Sequence, residues 1–222
     1  GAVRLQELAA RYGVEKLTAV MAALQDYSEA RMRAAIVQVP DGTYQGEDWA
    51  DGAGIGDAPL PVRATLTVRG DQIAIDFTGT APQVASNLNA PFASTISAAL
   101  SAVKAALTSP DIPFNAGAAR PIAISAPHGS LLNPRHPAPV RARMEACFRA
   151  WNATMKALSQ AVPDRVVAPG FDTTTVGVLS HLEDDGWSVY LEIYGGGYGA
   201  TAQSDGCDAV DGPLSNCSNT PV

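Results

Sequence analysis

The residues of this chain that could do chemistry are aspartates, asparagines and glycines set where apolar runs end. Asp76 opens Asp76-Phe77-Thr78-Gly79-Thr80, Asn115 opens Asn115-Ala116-Gly117, and Asn133 closes Gly129-Ser130-Leu131-Leu132-Asn133 before Pro134. Gly195-Gly196-Gly197-Tyr198-Gly199 forms a glycine run, and Asp205, Asn216 and Asn219 follow it. Asn both donates and accepts hydrogen bonds, so Asn87, Asn89, Asn115, Asn133, Asn216 and Asn219 can tie loops together or read an amide or imide ring. Successive glycines let backbone approach a ligand or another chain closely, which makes Gly196 and Gly197 candidates for the wall of a substrate site. Asp76 and Asp205 complete the candidate substrate-binding set, and no residue is assigned a catalytic step. Each has a plainer alternative: Asp76 capping its Thr-Gly-Thr turn through backbone N–H groups, the asparagines holding loops, the glycines making a tight turn.

Several chemistries are excluded by spacing. Gly195-x-Gly197-x-x-Ala200 follows a strand-like run, as a dinucleotide fingerprint would, but Thr201–Gly206 does not read as the helix that must receive a pyrophosphate. There is no P-loop and no GxSxG elbow. His128, His136 and His181 show no metal-ligand spacing, so no metal is expected within these residues. Cys147, Cys207 and Cys217 form no CxxC pair; an odd cysteine count in a chain of 222 residues reads as a reduced, cytoplasmic setting. Cys147 falls on an apolar helix face and reads as core.

Loops that carry chemistry need rigid elements behind them. After Gly13, apolar residues from Val14 to Ile36 follow one helical face until Pro40-Asp41-Gly42 stops it. Residues 43–61 are rich in Gly, Asp and Pro and read as a loop, a possible sub-boundary. Val62, Ala64, Leu66 and Val68 alternate with polar residues, Gly70-Asp71 turns the chain, and Ile73, Ile75 and Phe77 resume the alternation, which predicts a hairpin with a II′ turn. A helix is predicted over 92–107 and a short strand over 121–126. Met144, Cys147, Phe148, Trp151, Met155, Leu158 and Val162 form one stripe of an amphipathic helix ending before Pro163. Trp187, Val189, Leu191 and Ile193 alternate as a last strand running into the glycines. Helices and hairpins are segregated, which predicts one α+β unit of long helices packed on antiparallel strands, with a loop-rich tail.

Composition narrows the partners. A net charge of −7 gives no basic stripe for nucleic acid or an anionic membrane, and no apolar run approaches the ~20 residues of a spanning helix. Charged residues make up 17% of the chain against a usual ~25%, which suits a protein with much covered surface.

In order, the Asp76, Asn115 and Gly129–Pro134 motifs, Arg120-Pro121-Ile122, Tyr27 with Arg31-Met32-Arg33, Pro40-Asp41-Gly42-Thr43-Tyr44, and the closing Asp205-Gly206, Asp208-Ala209-Val210, Asn216 and Asn219-Thr220-Pro221-Val222 resemble the hydantoinase B/oxoprolinase family. The resemblance spans nearly the whole chain. It implies part of the B-type subunit of an ATP-dependent hydrolase of cyclic amides or imides, such as an N-methylhydantoinase or 5-oxoprolinase. The alternatives are a subunit of an ATP-dependent ketone carboxylase, such as an acetone or acetophenone carboxylase, or a non-catalytic scaffold of such a complex. It further implies an A-type partner subunit that uses ATP and Mg to phosphorylate a carbonyl or enolate oxygen, and a divalent metal held by an N-terminal part of the family sequence that precedes these residues. No cofactor is expected on the present residues, which read as a fragment inactive alone. Many relatives carry histidines where this chain has Asp211 and Pro213, which weakens any assignment of metal or acid–base duty to that stretch and also fits a subgroup with a different substrate.

Overall fold

The computed structural model describes residues 1–54, 58–173 and 175–215. It opens with α1 (Ala2–Tyr12) and α2 (Val14–Ile36), separated by Gly13 at φ 82°. Helix α2 is about 35 Å long at 1.5 Å per residue, but only Ser28, Met32 and Ile36, towards its end, are buried. Strand β1 (Gly42–Ala50) follows, then β2 (Leu60–Arg69) and β3 (Gln72–Asp76). After α3 (Phe92–Leu107) and the one-turn α4 (Ala116–Ala119), β4 (Ile122–Ser125) completes a sheet in the order β1-β2-β3-β4. The first two pairings are antiparallel and the third is parallel.

The predicted β2–β3 hairpin forms with Arg69 opposite Gln72, so Gly70-Asp71 is its two-residue loop, and Gly70 takes the left-handed φ of 58° that a II′ turn needs. Val62, Ala64, Leu66 and Val68 are buried on one sheet face, while Arg63 and Arg69 face solvent. On the buried face lies α5 (Met144–Ser159), with α3 packed beside it. The predicted stripe on α5 is buried at Cys147, Phe148, Trp151, Met155 and Leu158. Burial pushes the Cys147 thiol up to about 11, as suits a core cysteine.

The loop expected over 43–61 is corrected by β1, which pairs with β2 through nine residues from Gly42↔Val68 to Ala50↔Leu60. Its sequence, Gly-Thr-Tyr-Gln-Gly-Glu-Asp-Trp-Ala, lacks the branched apolar residues that mark strands. What holds it is tertiary: a Cβ on Gly46 would stand 2.0 Å from the Ala153 carbonyl oxygen and 2.7 Å from the Ala157 nitrogen of α5. Glycine there lets the helix backbone rest directly on the strand.

Last come β5 (Thr175–Glu183) and β6 (Gly186–Tyr194), a separate antiparallel hairpin. The architecture is α+β, as predicted. No helix among the described residues is long and apolar enough to cross a membrane.

Candidate functional site

The polar residues of α5 make a second ridge, Glu145, Arg149, Asn152 and Lys156, at i, i+4, i+7 and i+11. It faces the end of β1 and the segment 169–173, and together these line a cleft of about 660 Å³ walled also by Trp49 and Phe171. That is a volume suited to a small-molecule ligand.

Asp48 of β1 is the hub. One carboxylate oxygen accepts from Lys156 Nζ at 2.7 Å; the other accepts from Asn152 Nδ2 at 2.9 Å and pairs with Arg149 Nη1 at 3.1 Å. Asn152 Nδ2 also donates to Asp172 Oδ2 at 2.9 Å, and Arg149 Nη2 donates to the Asp172 carbonyl. Lys156 Nζ donates to the Glu47 carbonyl at 3.1 Å. The network therefore bolts β1 and the 169–173 segment to one side of α5.

Both cations lean on Asp48, and the other two carboxyls are left poorly compensated. Burial pushes Asp172 above the usual carboxylate range, opposed by its Asn152 hydrogen bond and by Arg149. Burial likewise raises Glu145, opposed by Arg149 at 3.6 Å and by Thr173. Three buried polar atoms here make no hydrogen bond: Arg149 Nε, Asn152 Oδ1 and Asp172 Oδ1. Buried polar groups in native proteins are normally paired, so this cluster can take up a proton or a polar ligand group. A metal ion does not fit it. The Asp48 oxygens are occupied by Arg149, Asn152 and Lys156, and no three His, Cys, Asp or Glu side chains among the described residues are placed to share an ion.

None of the residues proposed from sequence lines this cleft. Asp76 Oδ1 accepts from the Thr78 backbone N–H at 3.2 Å, the Thr78 hydroxyl at 3.0 Å and the Ser125 hydroxyl at 2.9 Å, closing its turn and tying β3 to β4. Asn115 caps α4 by accepting from the Gly117 N–H at 2.9 Å, and donates to the Ser28 hydroxyl on α2 at 2.9 Å. Asn133 Nδ2 donates to the Ala126 carbonyl at 2.9 Å. Asn87 is exposed, and its carbonyl accepts from the Ala142 N–H at 2.9 Å. Asp205 is exposed in the turn after β6, and Asn216 and Asn219 lie outside the described residues.

Gly196 and Gly197 stand behind one wall of the cleft without lining it. The Gly197 carbonyl accepts from the Phe171 N–H at 2.8 Å, and a Cβ on Gly196 would sit 2.6 Å from the Phe171 ring. The glycine run is the backing against which Phe171 and its neighbour Asp172 are set.

Sequence reading missed Asp48, Glu145, Arg149, Asn152, Lys156 and Asp172. The helical spacing of the α5 ridge was visible, but a polar ridge ordinarily marks a solvent face. Asp48 lay in the supposed loop.

The fold thus defines a layered α+β body with a charged cleft along one side of its central helix. The chain belongs to the hydantoinase B/oxoprolinase family, whose profile matches residues 1–222. The B-type subunit of a putative D-/L-hydantoinase from Pseudomonas sp. (strain NS671) is 37% identical over 100% of this chain and 39% of its own length. The crystal structure of the ATP-dependent caprolactamase from Pseudomonas jessenii superimposes with a TM-score of 0.83 at 29% identity, over 95% of this chain and 37% of that one. A nucleotide-free acetone carboxylase shares the fold, with a TM-score of 0.85 at 19% identity over 98% of this chain and 32% of that one. The chain therefore spans well under half the length of these relatives.

Proposed function

We propose that these residues are part of the B-type subunit of an ATP-dependent hydrolase of cyclic amides or imides, working in the cytoplasm with an A-type subunit that uses ATP. The observation that carries this reading is the similarity along the whole chain to both a hydantoinase B-type subunit and an ATP-dependent caprolactamase. Chemically, phosphorylating the amide oxygen weakens its resonance with the nitrogen and makes the carbon more electrophilic, so addition of water needs less transition-state stabilisation; the C–N bond then breaks to open the ring, and hydrolysis of the resulting acyl phosphate releases carboxylate and phosphate. The part given to the present residues is scaffold and one wall of the substrate region. The Asp48–Arg149–Asn152–Asp172 network fixes that wall, and Asp172 and Glu145 are its carboxyls most ready to hold a proton. The glycine run backs Phe171 in that wall, while Asp76, Asn115 and Asn133 hold loops elsewhere in the fold. The metal implied by the family resemblance belongs to a part of the polypeptide outside these residues, and no step is assigned to it.

The test is an assay of the complete subunit with its ATP-using partner on hydantoins, 5-oxoproline, caprolactam, and ketones with bicarbonate. ATP consumption coupled to ring opening is expected. ATP consumption coupled only to bicarbonate fixation would replace the hydrolase by a carboxylase.

A further inference from the structure

The β5–β6 hairpin sorts its side chains in a way the rest of the fold does not use. Its register sets Val176, Val178, Ser180 and Leu182 opposite Ile193, Leu191, Val189 and Trp187. Side chains on alternate residues share a face, so these eight form one face that carries no charge and a single small polar group. The opposite face is mixed, with Thr175, His181, Glu183, Ser188 and Glu192 beside Leu179, Tyr190 and Tyr194. The apolar face is bare: Trp187 is 69% exposed, Val189 61% and Leu182 60%. The two strands pack mainly on each other, and a lone two-stranded hairpin is only marginally stable in water.

We propose that this face seats an amphipathic α-helix of the same polypeptide, supplied by the part of the subunit outside residues 1–222. Two observations choose this occupant. The first is size. Two nine-residue strands give a face about 30 Å long and about 10 Å wide. That matches the footprint of one helix, about 10 Å across and about 30 Å long for twenty residues. A contact with one helix suffices within one chain, where tethering supplies a high effective concentration. The second is length: the matched stretch is 39% of the hydantoinase B-type subunit and 37% of the caprolactamase chain, so most of such a polypeptide lies elsewhere.

This inference rests on the reading of the chain as part of a larger B-type subunit, and its test is separate from the activity assay. A benzophenone amino acid is placed at position 189 of the complete subunit and, in a second variant, at position 182. Each is irradiated with the subunit alone and with its ATP-using partner present. The expected product has the mass of one subunit, maps to a helix outside residues 1–222, and keeps its yield on tenfold dilution. Crosslinks to a second copy, to the partner subunit or to peptides within 1–222 would overturn the proposal, as would no crosslink at either position. The ring-opening assay is blind to this docking and the crosslink map is blind to chemistry, so either reading can fail alone.

Discussion

Helix α5 and the β5–β6 hairpin are both two-faced elements, and the fold treats them in opposite ways. The polar ridge of α5 is inside, holding β1 and the 169–173 segment, while the apolar face of the hairpin stands outside. Amphipathic pattern therefore fixes which residues share a face but not what covers it. On α5 the sheet, α3 and the 169–173 segment crowd the ridge, so Asn152 is buried and Arg149 largely covered, while Glu145 and Lys156 keep part of their side chains open to the cleft. The hairpin has no such neighbours among the described residues.

The comparison can be broken most forcefully at the glycines of the two regions. Gly46→Val in the complete subunit should cost about 3 kcal/mol or more, because its side chain meets the α5 backbone and not a movable group. Gly186→Ala in the hairpin meets nothing within 4 Å and should cost only about 1–2 kcal/mol of backbone strain at φ 144°. Urea denaturation reads both, and equal losses would erase the contrast.

Next in size is the polar ridge. Arg149→Met leaves Asp48 short of a cation in a buried site, and should destabilise by about 3 kcal/mol. Asn152→Ala removes the hydrogen bonds to both Asp48 and Asp172, at about 1–3 kcal/mol. If instead both variants keep the wild-type urea midpoint, the ridge is not what fastens β1 to α5.

A smaller effect concerns pH. Asp172 is raised by burial, so between the unfolded carboxyl value near ~4 and its higher folded value the native state binds more protons than the unfolded one. Stability from this group therefore falls as pH rises through that window. The urea midpoint of the wild type relative to Asp172→Asn should decline from pH 3.5 to pH 7; a rising difference would reverse the sign of the argument. The smallest effect belongs to the hairpin's mixed face, where the exposed Ser188→Ala should shift stability by less than about 0.5 kcal/mol.

Much of the scaffold was legible. The Gly70-Asp71 hairpin, α3, β4, α5 and β6 all lie close to where periodicity and turn residues put them, because each is specified by neighbours in sequence. The turn-closing alternative for Asp76 was legible for the same reason, since its bonds to Thr78 span two residues. Asn115 was noticed, but not as the cap of α4, a helix too short to leave a periodic signal. β1 was lost because its strand character comes from β2 and α5, not from its own residues.

The amino-acid sequence by itself determined the family, the α+β class and the local order of helices and turns, since these depend on composition, period and spacing along the chain. The cleft was decided only by tertiary structure. Asn152 reaches Asp48 across 104 positions and Asp172 across 20, and such a meeting depends on how α5 lies on the sheet. Packing also turned a ridge that reads as a solvent face into a partly covered network around the buried Asn152 and Asp48, because whether a polar side chain meets water or a partner depends on what the fold lays over it.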